Sequence, residues 1–218
     1  MTVKPHKTLA VGLSYYNDLK SIQRSIPTYI DGVDFVFAID GRYSLRDGPD
    51  YSDDGSTEYL KQFDKVITDR YIGMEHDKRN RYLELAEEMD IDIMLMIDSD
   101  EYVIEADWDK FRDNLDILKK QPDIYGVKFY YTKNDWTAYP RIWVMPEQIR
   151  YYKCHNIFNV NGQIIRSPGT LKPVEGISMG MDDDLRSEEY LNMTSEYQKR
   201  MLDYEIPIRH ALRDGRPI

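Results

Sequence analysis

The sequence contains a single cysteine, Cys154, and no long run of apolar residues. One cysteine cannot form an intramolecular disulfide, which favours a reducing compartment, and we expect a cytoplasmic protein. No apolar stretch approaches the roughly 20 residues that cross a bilayer. The N-terminal segment also lacks the apolar core of a secretory signal, so we expect neither a leader nor a transmembrane segment.

Positive charge is scarce as well. The chain has 29 Lys and Arg residues against 39 Asp and Glu residues, a net charge of −10, which argues against a nucleic-acid backbone as its main partner. A hydrophobic fraction of 41% predicts a folded globular protein. We expect residues 1–218 to form a single domain, with one half at about residues 1–104 and a second half at about residues 122–218.

Apolar strand patterns and helical patterns alternate in the first half of the chain. This alternation predicts crossover units, and therefore an α/β fold with a mostly parallel sheet flanked by helices. Pro27 is expected to kink or end the first helix, and Asp77 is a candidate N-cap of the second. The predicted strands are 8–16, 34–40, 64–69 and 91–97, and the predicted helices are 17–30, 76–90 and 106–121, the last stopping before Pro122.

The second half is predicted to be rich in β-structure. Short apolar runs separated by turn residues indicate strands at 124–132, 141–145, 149–160 and 163–167. From about residue 176 the chain is polar, with one helical pattern at 187–205.

The stretch "MLMIDSDEYV" at residues 94–103 poses a physical problem, because a buried strand runs directly into three carboxylates. Like charges this close repel one another and are costly to desolvate. Continued strand geometry would place Asp98 and Asp100 on one side, with Ser99 and Glu101 on the other. Two carboxylates on one side suit Mg²⁺ or Mn²⁺. A cation site is favoured over a simple strand-end cap.

Polar residues also follow the first two strands. Residues 14–17 read Ser-Tyr-Tyr-Asn, and residues 40–42 read Asp-Gly-Arg. Ligands of open α/β sheets bind at the carboxyl ends of the parallel strands. We therefore expect these two groups and the acidic stretch to line one cleft.

Several short motifs in this order resemble the nucleotide-sugar glycosyltransferases of the GT-A fold, in particular the family-two group and its relatives. The likeness covers about residues 8–165, with a "DDGS"-like segment displaced by an insertion at 43–51. The matching pieces are "AIDG" (38–41), "SDDGSTEYL" (52–60), "HDKRN" (76–80), "IDSDEY" (97–102) and "YPRIWVMPEQIRYYKCHN" (139–156). The acceptor-side second half of such a fold would be β-rich.

The resemblance implies a reaction and its partners. It implies a metal-dependent transferase that moves a sugar from a nucleoside-diphosphate donor, with UDP favoured, to a glycan or other hydroxyl acceptor. Mn²⁺ or Mg²⁺ would be bound by Asp100, with Asp98 contacting the ribose or the metal through water. His155 would lie near the metal or acceptor. The third metal ligand stays open, because "GISMGMDDDLRSEEY" at 176–190 has no histidine.

The remaining implied roles concern the donor. Asp40 would hold the base by hydrogen bonding, and Tyr15 or Tyr16 would stack on it. At the start of the second helix, Lys78 or Arg79, together with Asn80, would contact phosphate.

If the reaction inverts configuration, a carboxylate must take the acceptor proton. Asp135 is the candidate, with Glu147 and Asp182 as rivals. Trp136 and Tyr139 would suit the apolar face of a sugar.

Two other classes stay open. A haloacid-dehalogenase-type phosphatase or phosphotransferase also places Asp-x-Asp after an apolar strand, although there the motif usually follows the first strand. The second alternative is a non-catalytic cation- or sugar-nucleotide-binding domain, or one part of a longer multidomain chain.

Overall fold

The computed structural model describes residues 7–114, 126–132, 135–145, 149–152, 157–160, 163–166, 171–181, 199–208 and 210–211. Within these ranges the chain forms three sheets. The strands in chain order are β1 Leu9–Tyr15, β2 Phe35–Asp40, β3 Val66–Arg70, β4 Ile93–Asp98, β5 Glu101–Ala106, β6 Gly126–Thr132, β7 Asp135–Tyr139, β8 Ile142–Val144, β9 Ile149–Tyr151, β10 Ile157–Val160, β11 Gln163–Arg166 and β12 Pro173–Met181.

Four α-helices accompany the strands in the described ranges: α1 Leu19–Ser25, α2 Ser56–Leu60, α3 Glu75–Glu88 and α4 Trp108–Asp113. Residues 199–208 are also helical. Pro27 lies in a 3-10 turn, Ile26–Thr28, directly after α1, which confirms that the first helix ends there. None of the helices described is both long and apolar enough to pass through a bilayer.

The first sheet has the order β3-β2-β1-β4-β8, in which β1 to β4 are parallel and β8 is antiparallel to β4. The alternating pattern of the first half therefore predicted the correct strands and the correct sheet type. Between β3 and β4 the chain crosses over β1, so the direction of strand addition reverses there. In such a doubly wound sheet the helices cover both faces.

Both faces of this sheet are buried, as expected for parallel strands. On one face, Ile22 of α1 packs in a cluster with alternate residues of β1 and β4, namely Leu9, Val11, Leu13 and Leu95. On the other face, Met94 and Met96 of β4 pack with Tyr82 of α3. The two helices thus enclose the central strands from opposite sides.

Gly12 lets α3 lie close against the sheet. A Cβ atom at this position would stand 2.6 Å from the ring of Tyr82, closer than any real contact allows. The ring of Tyr82 is buried over β1, on the side opposite α1. The absence of a side chain at Gly12 therefore sets how closely α3 approaches, and α3 carries residues 78–80, the predicted phosphate contacts.

The second sheet has the order β5-β12-β6-β7, and the third has the order β11-β10-β9. One face of the second sheet packs in the same core cluster as β1, through the side chains of Val103, Phe129 and Met179. The strands predicted at 124–132, 141–145 and 163–167 are confirmed. The stretch predicted as one strand at 149–160 contains two, β9 and β10.

Some local predictions are wrong. Most of β12 was expected to belong to a polar tail, yet the strand lies between β5 and β6 in the second sheet. Its burial comes from partners far away in sequence, which a local pattern does not contain. The N-cap of α3 is Met74 rather than Asp77. Asp77 instead accepts a hydrogen bond from the Met74 backbone N–H at 3.0 Å, which still satisfies a free donor of the helix start.

The acidic stretch does not continue as one strand. β4 ends at Asp98, residues 99 and 100 turn, and β5 begins at Glu101. The prediction that Asp98 and Glu101 face opposite sides is therefore wrong, because both side chains contact Arg141. The division into halves within a single domain stays a prediction.

Candidate functional site

The carboxyl ends of β1 and β4 lie side by side at the point where the strand order reverses. Ser14 of β1 is level with Asp98 of β4, and Tyr15 is level with Asp40 of β2. Flanking helices diverge to opposite faces at such a point, and ligands of open α/β sheets bind in the crevice outside the strand ends there. We call the region formed by residues 14–18 and 98–101 the switch-point crevice.

Asp98 is held by two arginines. Both of its carboxylate oxygens lie 3.0 Å from Nη2 of Arg79, on α3. Nη2 of Arg141 donates to Oδ2 at 2.7 Å. The Asp98 side chain is 33% exposed, whereas both arginine side chains are almost completely buried. The charge at the end of β4 is therefore balanced from inside the protein.

Glu101 belongs to the same arrangement. Its buried carboxylate pairs with Arg141 and accepts a hydrogen bond from the Asp98 backbone N–H at 2.9 Å. Arg79 also pairs with Glu75, one helical turn earlier, at 2.6 Å. We call these five residues the β4 ion cluster: Glu75, Arg79, Asp98, Glu101 and Arg141.

Burial and charge act against each other in this cluster. Burial raises the pKa of Glu101 above its usual value, and the guanidinium of Arg141 opposes that rise. Burial alone would lower the pKa of Arg141, but Asp98 and Glu101 hold it above its usual value. Arg141 therefore stays charged, and it is one source of the positive charge that the acidic stretch required.

A second carboxylate pair lies at the mouth of the crevice. Asp18 follows β1, and its Oδ2 accepts a hydrogen bond from Ser99 Oγ at 2.7 Å. Burial raises the pKa of Asp18 to about 6, the bond from Ser99 opposes this rise, and the charge of Asp100 adds to it. Asp18 and Asp100 therefore come close enough to repel each other.

The residues of the crevice fit a divalent cation only in a limited way. No three His, Cys, Asp or Glu side chains form a metal-ligand group in the described parts of the chain. The oxygens of Asp98 already accept from arginines. Asp18 and Asp100 are a pair of carboxylates, and Mg²⁺ is commonly bound by one or two carboxylates plus substrate phosphates and water. They fit an ion that is completed by a substrate.

Asp40 is in a different environment, because neutral donors surround it. It is fully buried and accepts from Ser52 Oγ at 2.7 Å, from the Ser52 backbone N–H at 3.1 Å and from Thr57 Oγ1 at 3.3 Å. Thr57 Oγ1 also lies 2.9 Å from the hydroxyl of Tyr15. We call these four residues the β2 hydroxyl cluster: Tyr15, Asp40, Ser52 and Thr57.

This cluster explains how the "SDDGS" segment at 52–56 is placed despite the insertion before it. Ser52 Oγ accepts from the Asn17 backbone N–H at 2.9 Å, and Asp54 Oδ2 accepts from the Leu19 N–H at 2.8 Å. The segment is therefore bound both to the end of β2 and to the start of α1.

Lys78 lies beneath the same strand ends. Its Nζ donates to the backbone oxygens of Tyr15 at 2.9 Å and Gly41 at 2.5 Å, and it lies 4.6 Å from the ring centroid of Tyr43. The side chain is fully buried, and burial lowers the pKa of Lys78 to about 7, although Asp40 opposes this effect. Lys78 thus connects the ends of β1 and β2.

The other residues expected to contact the donor also make internal contacts. The hydroxyl of Tyr16 donates to Pro49 O at 2.7 Å, and the guanidinium of Arg46 lies 5.0 Å from its ring centroid. Asn80 donates to Tyr151 O at 3.0 Å and accepts from Tyr151 N–H at 2.8 Å. Asn80 therefore attaches α3 to β9.

The structure does not bring every candidate together. Asp135 begins β7, the edge strand of the second sheet, three strands from β5, which is about 14 Å at the usual strand spacing. Trp136 and Tyr139 lie on opposite faces of β7, since Tyr139 packs against the core and Trp136 is exposed. His155, Glu147 and Asp182 lie outside the described residues.

The sequence patterns did not single out Asp18, Ser99, Glu101 and Arg141 as site residues. Arg141 lies in the quoted "YPRIW" segment, and Asp18 directly follows the polar end of β1, so both had a local signal. Nothing local, however, indicates which carboxylate Arg141 contacts, because its partners are 40 and 43 residues away.

Comparison with known proteins places this chain among distant neighbours only. No family model matches the sequence, and no curated protein matches it. Among solved structures, it is similar to S. aureus TarS 1-349 in complex with UDP-GlcNAc, with 17% identity and a TM-score of 0.42, over 59% of this chain and 36% of that one. The same protein in complex with UDP gives 16% identity and a TM-score of 0.43, over 59% and 37%.

A further similar structure is glucosyl-3-phosphoglycerate synthase from Mycobacterium tuberculosis in complex with Mn²⁺, UDP and glucosyl-3-phosphoglycerate. It is 19% identical with a TM-score of 0.37, over 59% of this chain and 45% of that one. This chain thus spans less than half the length of each of these structures.

Proposed function

We propose that this chain binds the nucleotide-sugar donor of a glycosyltransferase. The reaction would transfer a sugar from a nucleoside-diphosphate donor, with UDP favoured, to a hydroxyl acceptor. The observation that carries the proposal is the switch-point crevice, where Asp18, Asp98 and Asp100 converge at the ends of β1 and β4. This is the place where open α/β sheets bind nucleotides.

In this proposal Arg79 and Arg141 are positioning residues. They fix the direction of the Asp98 carboxylate, whose exposed side would accept hydrogen bonds from the ribose hydroxyls. A carboxylate oxygen can accept more than one bond, so the arginines do not prevent this contact.

Asp100, with Asp18 beside it, would hold the Mn²⁺ or Mg²⁺ ion. When bound, such an ion offsets the charge that develops on the leaving diphosphate. Without it, the two carboxylates repel each other: burial is the main cause of the raised pKa of Asp18, and the charge of Asp100 adds to the rise. The pair therefore suits a site that is completed by the donor.

The base would lie beside residues 52–54 rather than directly on Asp40, which is buried beneath Ser52. Asp53 is exposed, and its backbone N–H donates to the Asn17 side chain at 2.9 Å, so it lies next to the end of β1. Burial raises the pKa of the nearby Tyr16, and the charge of Asp53 adds to that rise. Asp53 is therefore the proposed base contact, and Asp40 would support it through Ser52.

The same contacts argue against the phosphatase alternative. A nucleophilic aspartate needs an oxygen free to attack phosphorus. Both oxygens of Asp98 bond to guanidinium groups, which reduces their nucleophilicity. Asp135 remains a proposal for the acceptor base, to be tested by Asp135→Asn.

The test compares Asp100→Asn with the unchanged protein. UDP binding is measured by calorimetry with Mn²⁺ and with EDTA, and sugar release is measured from a panel of UDP-sugars. We expect the unchanged protein to lose UDP affinity in EDTA, and Asp100→Asn to lose turnover by about a hundredfold or more. Its melting temperature should be equal or slightly higher, because one repelling charge is removed.

Asp109→Asn is the matched control, since Asp109 is an exposed acid on α4 away from the crevice. It should leave UDP binding and turnover unchanged. UDP binding that is equal with and without metal, or an active Asp100→Asn variant, would contradict the proposal. Binding of UDP without turnover of any sugar would favour the non-catalytic binding domain.

A further inference from the structure

The second sheet has an outer face that the proposed reaction does not use. Its inner face carries Val103, Phe129 and Met179 into the core. On β12, Ser178 pairs with Glu105 of β5 on one side and with Lys128 of β6 on the other. A carboxylate, a hydroxyl and an ammonium group therefore follow one another across three adjacent strands.

Ser178 lies in the wall of a cavity of about 500 Å³. The residue is only 6% exposed, and its hydroxyl has no hydrogen-bond partner within the described part of the chain. A buried hydroxyl without a partner is destabilising, so a native structure that retains one requires an explanation. A ligand in the cavity would supply the missing partner. The wall also contains Glu105, Lys110, Lys128, Tyr130 and Glu175.

Two aromatic rings extend this wall toward β7. The Nζ atom of Lys128 lies 4.8 Å from the ring centroid of Tyr130 and 4.9 Å from that of Trp136. Trp136 is 46% exposed, so part of its ring is accessible to a ligand. The rings thus offer an apolar surface beside the polar row.

The charges of the surface indicate a neutral ligand. Glu105 repels anions and Lys128 repels cations, while Lys110 and Glu175 pair with each other at 2.9 Å on the rim. A neutral ligand that both donates and accepts hydrogen bonds can contact all three groups of the row. A sugar ring has such hydroxyls at its edge and an apolar C–H face that can pack on an aromatic ring.

We propose that this outer groove, formed by Glu105, Lys128, Tyr130, Trp136 and Ser178, binds a neutral carbohydrate. Its volume lies within the range of small-molecule sites, about 300–1,000 Å³. Glu105 is four residues along β5 from Glu101, which is about 13 Å, so the groove is separate from the switch-point crevice. The binding does not depend on the proposed transfer reaction.

The test uses neutral trisaccharides, namely maltotriose, cellotriose and triacetylchitotriose, without nucleotide or metal. Binding is measured by calorimetry and by tryptophan fluorescence, since Trp136 is exposed, Trp143 is buried and Trp108 is half-buried; loss of the fluorescence change in Trp136→Ala assigns the signal. We expect at least one trisaccharide to bind with a Kd in the millimolar range. Trp136→Ala should weaken that binding by about tenfold, and Ser178→Ala by about threefold.

Leu202→Ala is the control, because Leu202 is a similarly exposed large side chain, 47% accessible, on the helical segment 199–208. It should bind the trisaccharide like the unchanged protein. Melting temperatures of all variants verify that they are folded. No binding of any trisaccharide up to about 20 mM, roughly twenty times the Kd expected for a weak site, would overturn the proposal.

Binding that Trp136→Ala and Ser178→Ala leave unchanged would also overturn it, because the sugar would then lie elsewhere, for example in the crevice. UDP binding is measured separately on the same variants. If trisaccharides bind but UDP does not, the proposed function is wrong and the groove proposal is supported. If UDP binds but no trisaccharide does, the groove proposal is wrong and the proposed function is unaffected.

Discussion

The strands on either side of β1, namely β2 and β4, end in buried or partly buried aspartates, and the protein satisfies them in different ways. Asp40 at the end of β2 accepts from hydroxyl and backbone donors that carry no net charge. Asp98 at the end of β4 accepts from Arg79 and Arg141, which are both charged and buried. The hydrogen bonds to Asp40 come from neutral donors, although its charge also acts on the buried Lys78, whereas Asp98 is held by ion pairs.

This difference predicts unequal sensitivity to mutation. Removing one of the hydroxyl groups that donate to Asp40 leaves its other donors in place, so Asp40 loses one hydrogen bond. Removing an arginine from the β4 ion cluster leaves a buried carboxylate without its counter-charge, which costs much more.

The largest effect should come from Arg141→Met. Glu101 then remains buried with its main positive partner gone, and we expect a loss of about 3–5 kcal/mol in the free energy of unfolding. Urea denaturation measures it. Arg150→Met is the control, because Arg150 pairs with Glu87 at 2.5 Å but both side chains are about one-third exposed, so the loss should be at most about 1 kcal/mol.

Equal losses in the free energy of unfolding in Arg141→Met and Arg150→Met would show that burial does not determine how much an ion pair contributes to stability. The double variant Arg141→Met with Glu101→Leu sharpens the test. It removes both charges of the pair, and it should recover part of the loss because no unpaired carboxylate is left at position 101.

The second-largest effect should be a pH dependence of the free energy of unfolding, caused by Lys78 beneath the β2 hydroxyl cluster. Burial lowers the folded-state pKa of Lys78 to about 7, so above that pH the unfolded chain binds one more proton than the folded one. Stability should therefore rise with pH between about 7 and 9, by at most about 1.4 kcal/mol per pH unit. The rise ends as the unfolded lysine titrates, near its ordinary pKa of about 10.5.

Lys78→Met should flatten this rise, as measured by urea denaturation at several pH values. Lys65→Met is the control, since its ammonium also donates to backbone oxygens, of Ile30 and Val33, but from an exposed side chain. It should keep the slope of the unchanged protein. Loss of the slope in Lys65→Met, or its persistence in Lys78→Met, would assign the pH dependence to another group.

The smallest effect should come from Ser52→Ala. Ser52 Oγ donates to Asp40 and accepts from the Asn17 N–H, so its loss removes two neutral hydrogen bonds and should cost about 1–2 kcal/mol. Ser44→Ala, an exposed serine of the same connecting segment, should cost less than about 0.5 kcal/mol. A loss from Ser52→Ala as large as that from Arg141→Met would remove the distinction between the two aspartates.

Much of the first sheet could be predicted from the sequence. The apolar runs of β1, β2, β3 and β4 are local, and their alternation with helices requires a parallel sheet. β12 could not be predicted in this way, because glutamate, serine and two glycines interrupt its apolar residues. Its two neighbours, β5 and β6, are the elements that bury it.

The candidate site, too, could be predicted from the sequence only in part. The sequence by itself determined that carboxylates stand at the ends of β2 and β4, since strand ends are visible in a hydrophobic pattern. It also placed Lys78, Arg79 and Asn80 at the start of α3. Only the tertiary structure decided that Arg79 and Arg141 hold Asp98, that hydroxyls hold Asp40, and that Asp18 meets Ser99. These pairings join residues up to 81 positions apart, and the contact forms only when the chain has folded, because hydrogen bonds and ion pairs act over a few ångströms of space rather than along the sequence.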